Sequence, residues 1–292
     1  MRIGILTRNP NAWCSSHIIR AVRQISAEPI PMNYSNLVGR VALTPKASGG
    51  RGTDLLDELD AIIVRPIGRG SLDEIIFRLN LLHRFENLGL PIFNGPSSIE
   101  RAVDKYYSLA LMEEEGIPVP RTIVTESPRK ALDAFHELGG DVVVKPVYGS
   151  QGIGVTRISD PEVALRVFRS LAYVHHVLYV QEFVPHGNHD IRLLVIGDEV
   201  VAAMYRVSEG WKTNIHQGAR PVAMKPDPDL RGLAVASAKC LGCDIAGVDV
   251  MEGPNGYMVN EVNSQPGFQG LQSTTDIDIA VKIAEYVKKS VE

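Results

Sequence analysis

The chain is poor in cysteine: Cys14, Cys240 and Cys243 are the only three in 292 residues. That excludes the dense disulfide framework of small extracellular scaffolds. It also lacks a long apolar run. Its longest apolar stretches are strand-sized, well short of the roughly 18 residues that read as a membrane span. The opening MRIGILTRNPN has no apolar core of a signal peptide, so a cytoplasmic protein without membrane association is expected. Nor is positive charge in excess. Lys and Arg total 30 against 34 Asp and Glu, a formal net charge of −4. This argues against a general nucleic-acid binder and leaves room only for a local basic groove. No short repeat or low-complexity tract is present. What remains, 45% hydrophobic and 22% charged residues, is the balance of a globular enzyme, long enough for two or three units.

Cys240 and Cys243 have C-x-x-C spacing in CLGC, but no second pair or nearby His completes a zinc set. They end a helix-like run, DLRGLAVASAKCLGC. Buried small residues are expected there, with redox or metal use as the alternative.

RIGILT reads as a buried strand, SSHIIRAVRQI as a helix, LDAIIVRPIG as a strand and LDEIIFRLNLLHRFENLG as an amphipathic helix. LPIFNGP is a short strand with a Gly-Pro stop. This alternation predicts a small parallel α/β domain over residues 1–95. Beyond Pro96, SSIERAVDKYYSLALMEEEG reads as one capped helix closed by Gly116. DIRLLVIGDEVVAAMYRV reads as two strands about a Gly-Asp turn, and IAGVDVME and GYMVNEVNS as two more. Helices alternating with hairpins predict α+β units in this half.

KPVYGSQGIGV, residues 145–155, puts three glycines directly after apolar β-formers. A Walker A loop would need a lysine where Val155 stands, and a dinucleotide fingerprint read from Gly152 would need glycine where Arg157 stands. The loop runs into VTRIS, so it is expected to join two antiparallel strands rather than feed a helix. A flexible hairpin tip would account for the glycines alone. Lys145 closes an apolar strand, where a buried ammonium needs a negative partner. A phosphate beneath the loop would supply one; snorkelling to solvent is the alternative.

Near the C-terminus, Glu261 and Asn263 are two residues apart and share a strand face. If GVDVMEG pairs with their strand, Asp249 can join them. Two carboxylates and an amide oxygen form a hard-oxygen set suited to Mg²⁺, the polar face of a half-exposed strand being the alternative. Asp190 and Arg192 repeat the spacing, with Arg206 in the return strand. An arginine beside phosphate could neutralise charge on a transferred phosphoryl group; a cross-strand salt bridge is the alternative.

DKYYSLALMEEEGIPVP, VVVKPVYGSQGIGV, VQEFV, HDIRLLVIGDEVVAAMYR, TNIHQG, AGVDVM and NEVNSQPGFQG follow one another in this order. Together they resemble the RimK-like glutamate ligases of the ATP-grasp superfamily, over essentially the whole chain. The resemblance implies an α/β and α+β fold: a pre-ATP-grasp domain over 1–95 and two α+β subdomains, 96–182 and 183–292, enclosing ATP. By position, Lys105 and Lys145 would contact the phosphates, and Ser150, Gln151, Gly152 and Gly154 would belong to the loop over them. Gln181, Glu182, Phe183 and Val184 would flank the adenine, and Asp190 the ribose. Asp249, Glu261 and Asn263 would hold Mg²⁺ (or Mn²⁺), as two ions. Arg192, Arg206 and Asn214 would line the phosphate and acceptor side.

The implied reaction joins L-glutamate to an acceptor carboxylate through an acyl phosphate, with release of ADP and phosphate. It needs alignment and charge neutralisation more than a protein nucleophile. Lys212 and Gln217 are expected to face substrate, yet relatives often carry Arg at both places. Lysine loses the planar fork and glutamine the charge. CSSHIIRAVRQ, IGRGSLDEIIFRLNLLHRFENLG and IERAVDKYY are similar to archaeal relatives that modify small coenzymes, which points to tetrahydromethanopterin as acceptor. A deazaflavin coenzyme, a ribosomal protein and an amino-group carrier of lysine biosynthesis are its competitors, and an ATP-binding sensor without turnover is the non-enzymatic alternative. A homo-oligomer is an expectation by analogy alone.

Overall fold

Apolar strands alternate with amphipathic helices in the first third and build a parallel sheet. In the computed structural model, which describes residues 1–49, 53–149, 152–215 and 218–292, these elements are β1 (Arg2–Leu6), α1 (Trp13–Gln24), β2 (Glu28–Met32), β3 (Val38–Gly39), β4 (Ala47–Ser48), α2 (Leu55–Glu58), β5 (Ala61–Val64), α3 (Leu72–Asn87) and β6 (Ile92–Phe93). The sheet order is β2-β1-β5-β6, all parallel. β1 and β5 are apolar on both faces because each face is covered. Ile3, Ile5, Ala61 and Ile63 pack with Ile18 and Val22 of α1, while Leu6, Ile62 and Val64 pack with Leu82 and Phe85 of α3. Each Ile, Leu, Val or Phe among them contributes about 1.5–3 kcal/mol when fully buried. The hairpin β3–β4 is too short to show alternation in the sequence.

The run expected as one helix is two, α4 (Pro96–Val103) and α5 (Lys105–Glu114). The break is Asp104, whose extended backbone and carboxylate cap the Tyr106 and Tyr107 amides at 3.0 Å. This places Lys105 in the first turn of a new helix. Next come β7 (Thr122–Thr125), α6 (Pro128–Glu137), β8 (Val142–Lys145), β9 (Thr156–Ile158), α7 (Pro161–Tyr173) and β10 (Leu178–Glu182). They form an antiparallel sheet, β7-β10-β8-β9, with α6 and α7 on one face around Phe135 and Phe168.

The last unit contains β11 (His189–Ile196), β12 (Glu199–Val207), β13 (Arg220–Ala223), α8 (Pro228–Cys240), β14 (Ile245–Gly253), β15 (Gly256–Asn263), α9 (Gln269–Gln272) and α10 (Ile279–Val291). Its antiparallel sheet runs β13-β12-β11-β14-β15. One face, with Ile191, Leu193, Val195, Val248 and Val250, packs on α5 and α8. The opposite face is divided. Leu194, Ile196 and Met204 join the core shared with α1 and α10, whereas Asp190, Arg192, Arg206 and Asp249 leave that half polar. Among the described residues, no helix is long and apolar enough to cross a membrane.

Candidate active site

The polar half of the five-stranded sheet faces the four-stranded sheet across a cleft of about 880 Å³, open mouth included. Lys145, Val143 and Gln181 line it from one sheet, and Asp190, Arg206, Asp249, Asn260 and Glu261 from the other. Lys105 and the segment Trp211–Asn214 close its ends.

Lys145 ends β8, where each preceding valine is buried, and is itself 7% exposed. Its Nζ donates to Asn260 Oδ1 at 3.2 Å and lies 5.1 Å from the centroid of the Tyr179 ring. Burial pulls its pKa from the ordinary 10.5 down to about 8; Glu261 opposes that fall and Lys105 adds to it. Lys105 Nζ donates to Gly149 O at 2.7 Å and stands 3.5 Å from Glu261 Oε1. One ammonium therefore ties the glycine loop to the carboxylate wall.

That loop does join antiparallel strands, with Val142 opposite Ile158 and Val144 opposite Thr156. Gly154 has φ +79°, and a Cβ there would lie 3.2 Å from Pro146 Cγ, so only glycine suits the turn. Ser150 and Gln151 lie outside the described residues, as does Gln217.

Asp249 and Glu261 are register partners on β14 and β15, and Asn263 stands opposite Gly247. Between Asp249 and Val250 the register shifts by a bulge. Both Val259 and Val262 stay in the core, and Asn260 and Glu261 both reach the cleft. Asn260 is the functional candidate that strict alternation misses. The three-residue spacing of the two valines is its trace in the sequence.

Asp249 is held by two guanidiniums. Arg192 Nε and Nη2 grip it two-pronged, the second at 2.9 Å, and Arg206 Nη2 lies 3.1 Å from Oδ2. Arg206 also grips Asp190 through Nε at 2.7 Å. Burial lowers the Arg206 pKa, but Asp249 and Asp190 more than offset it and the net direction is upward. The cross-strand salt bridge is thus the arrangement formed, with both arginines committed to carboxylates. Arg192 and Asn263 stand beside the cleft rather than among its lining residues. Asn263 Nδ2 donates to Gly247 O at 3.3 Å, and Arg192 reaches the cleft through Asp249.

At the other wall, Gln181 is buried and donates to Thr122 Oγ1 at 2.9 Å and Tyr179 Oη at 3.1 Å. The Glu182 carboxylate accepts from Arg121 N and Nε, so backbone and apolar edges are what this segment offers a ligand. Phe183 lies between the Arg157 guanidinium, 3.5 Å from its centroid, and the Trp211 ring at 5.8 Å. Lys212 lines the cleft with Nζ 5.4 Å from the Trp211 ring. Asn214 and Thr213 line it too.

Residues 102–287 match the RimK-like ATP-grasp domain. The chain belongs to the RimK-like ATP-grasp family. It is 34% identical over 290 residues to a tetrahydromethanopterin:alpha-L-glutamate ligase of Methanococcus maripaludis, covering 98% of this chain and 97% of that one. It is 33% identical over 293 residues to a probable alpha-L-glutamate ligase of Legionella pneumophila, covering 99% and 96%. Among solved structures, the ATP-grasp ligase PsnB complexed with minimal precursor, Mg and ADP superposes with a TM-score of 0.76 at 20% identity, over 99% of this chain and 98% of that one. This RimK-like chain therefore has the ATP-grasp fold, in which two antiparallel sheets face one another across the cleft.

The donor chemistry fits a hard cation. Mg²⁺ commonly takes one or two carboxylates plus substrate phosphates, and Asp249 and Glu261 are adjacent oxygen donors. Among the described residues no group of three or more His, Cys, Asp or Glu is placed to hold a metal alone. Within CLGC, Cys243 is buried and desolvation pushes its thiol up to about 12, which accords with a packing role.

Proposed function

We propose that this RimK-like protein is an ATP- and Mg²⁺-dependent carboxylate–amine ligase that adds L-glutamate to an acceptor carboxylate. The observation that carries the reading is the juxtaposition, across one cleft, of Lys105 and Lys145 with Asn260, Glu261 and Asp249. Full-length similarity to relatives named alpha-L-glutamate ligases supports the amino acid. The first of these supports tetrahydromethanopterin, or a coenzyme like it, as acceptor.

In this reading the two lysines neutralise the polyphosphate and the loop 146–155, including Ser150, Gln151, Gly152 and Gly154, covers it. The adenine lies along Gln181–Val184. The Glu182 and Phe183 amides already donate to Arg121 O and Asp141 O, so base recognition falls to the Val184 amide and the carbonyls. A ribose hydroxyl meets the Asp190–Arg206 pair rather than a free carboxylate. Glu261, Asp249 and Asn263 would hold Mg²⁺, with Asn260 beside them, and the ion supplies charge neutralisation of the transferred phosphoryl group.

An acceptor carboxylate oxygen attacks the γ-phosphorus, the bond to the β,γ-bridging oxygen breaks, and ADP leaves. The glutamate ammonium gives one proton to solvent and its amine attacks the acyl carbon; phosphate departs with the electron pair of the broken C–O bond and takes up the second amine proton. Lys105 and Lys145 offset charge through this sequence, and Arg192 and Arg206 orient Asp249. Lys212, Asn214 and Gln217 face the substrates. The test is incubation with ATP, Mg²⁺, L-glutamate and tetrahydromethanopterin, or a panel of carboxylate coenzymes and peptides. Acceptor-dependent ADP and phosphate, with a glutamyl mass increment on the acceptor, is the expected result. Release of AMP and pyrophosphate, or tight ATP binding without any turnover, overturns it.

A further inference from the structure

The family match covers residues 102–287 and leaves out the N-terminal parallel sheet, at whose carboxyl edge a cluster of buried polar groups gathers. We propose that this cluster is a second anion-binding subsite, which takes a carboxylate or phosphate of the acceptor away from the reacting carboxylate; its assignment to the acceptor rests on the ligase reading. In the order β2-β1-β5-β6 the chain leaves β1 to one side and β5 to the other. The switch point therefore lies between them, where open α/β sheets bind ligands.

Among the described residues, two buried donors at that point have no acceptor. Arg65, 4% exposed, gives Nη2 to Pro266 O at 2.9 Å, while its Nε has no hydrogen-bond partner among the described residues. Gln265 accepts from the Ile67 amide through Oε1 at 3.3 Å, leaving Nε2 buried and unpartnered. Buried donors without acceptors are costly, and two on facing segments invite a shared oxyanion.

The first turn of α1 stands at the same point. Its N-cap is Ala12, with no side-chain cap and no acid in the first turn, so amide donors and the positive helix end stay available. Trp13 packs edge-on against Phe268 at 5.6 Å, the Phe268 amide points to Cys14 Sγ at 3.5 Å, and Arg65 lies 6.0 Å from the Phe268 ring. Helix start, guanidinium and Gln265 turn thus converge on one residue. Exposed Arg8 adds charge, packed where a Cβ on Gly68 would lie 2.3 Å from its Cδ.

The cluster backs onto the cleft. A Cβ on Gly247 would lie 2.9 Å from Pro266 Cβ and 2.6 Å from Arg192 Nη1, and Arg192 holds Asp249. An acceptor with two anionic groups can seat one here and present the other to the phosphoryl donor.

Gln265→Glu separates this idea from a structural role. It keeps the acceptor for the Ile67 amide and offers Arg65 Nε a partner, so the fold is retained, while its charge repels an anion. Protein saturated with Mg²⁺ and ADP is titrated with inorganic phosphate or with glutarate, and melting temperature is followed. Stabilisation of the wild type by either probe is expected, and the responding probe tells phosphate from carboxylate. In Gln265→Glu the midpoint should move up at least about tenfold. No stabilisation of the wild type, or equal response of both proteins, means that the donors are filled by water only and overturns the site. Gln265→Met replaces the variant if Gln265→Glu does not fold. In the ligation assay the acceptor KM should rise about tenfold, with the ATP KM unchanged; an unchanged acceptor KM removes the acceptor from this cluster. The probe titrations require no turnover, so failure of the ligase reading and failure of the subsite are told apart.

Discussion

Lys145 Nζ donates to Asn260 Oδ1 at 3.2 Å, joining positions 115 apart in the chain across the two walls of the cleft. Burial holds this lysine at about 8 against an ordinary 10.5. In the free protein it therefore loses its proton as pH rises through about 8, while the unfolded chain keeps it until 10.5. Across that window the unfolded state binds more protons, so this group makes the nucleotide-free protein more stable as pH rises.

Nucleotide binding should show the opposite trend. A polyphosphate favours the charged lysine, so binding takes up a proton, and affinity falls up to about tenfold per pH unit above about 8. Calorimetry near pH 8.5 in buffers of differing ionisation enthalpy should register that uptake. Lys145→Arg, charged throughout, should flatten the profile; an unchanged slope would remove Lys145 from the phosphate site.

Asn260→Leu should weaken nucleotide binding by about 1 kcal/mol, since it leaves the buried ammonium without its hydrogen-bond acceptor. Asn260→Asp should push the Lys145 pKa up and shift the pH profile of binding to higher pH. Fluorescence titration of both variants checks the pair.

Glu261→Ala and Asn263→Ala should lower kcat by about 100-fold or more while the melting temperature stays within a few degrees of the parent. Parallel losses of activity and stability in the two variants would instead assign them a packing role.

The Arg192–Asp249–Arg206–Asp190 network should behave as a unit. Asp249→Ala leaves the buried Arg206 and the half-buried Arg192 guanidiniums short of a partner and should destabilise by about 3–5 kcal/mol. A double-mutant cycle of Asp190→Ala with Arg206→Met should give a coupling well above that of an exposed pair, measured by denaturant unfolding.

Cys240→Ala and Cys243→Ala should keep full turnover, and the purified protein should carry no zinc. Slow reaction of Cys243 with a thiol reagent in the native state, and rapid reaction after unfolding, would follow from its burial and raised pKa.

Much of the fold is legible because burial leaves a period. The apolar runs of β1 and β5 mark a parallel sheet, and alternation in β11 puts Asp190 and Arg192 on one face with Arg206 in the return strand; that Asp249 joins them is decided by the pairing of β11 with β14. The glycine loop announced a strand–loop–strand by running into β-branched residues instead of a helix. The helix break at Asp104 is not legible in the sequence, because a capping aspartate inside a helical pattern looks like any polar position. Asn260 was hidden for a related reason: a bulge adds one residue to one strand, and period-two reasoning has no place for it.

The sequence by itself determined the family, the lysine and carboxylate candidates and the antiparallel setting of the loop, since these rest on local pattern and motif order. Only the tertiary structure decided whom each charge meets. Asp249 faces arginines, Lys145 faces an amide oxygen, and Arg65 is brought to Gln265 across 200 positions of chain. The reason is physical: the partner of a buried charge is chosen by strand register and domain packing, which depend on the whole core rather than on neighbours in the chain.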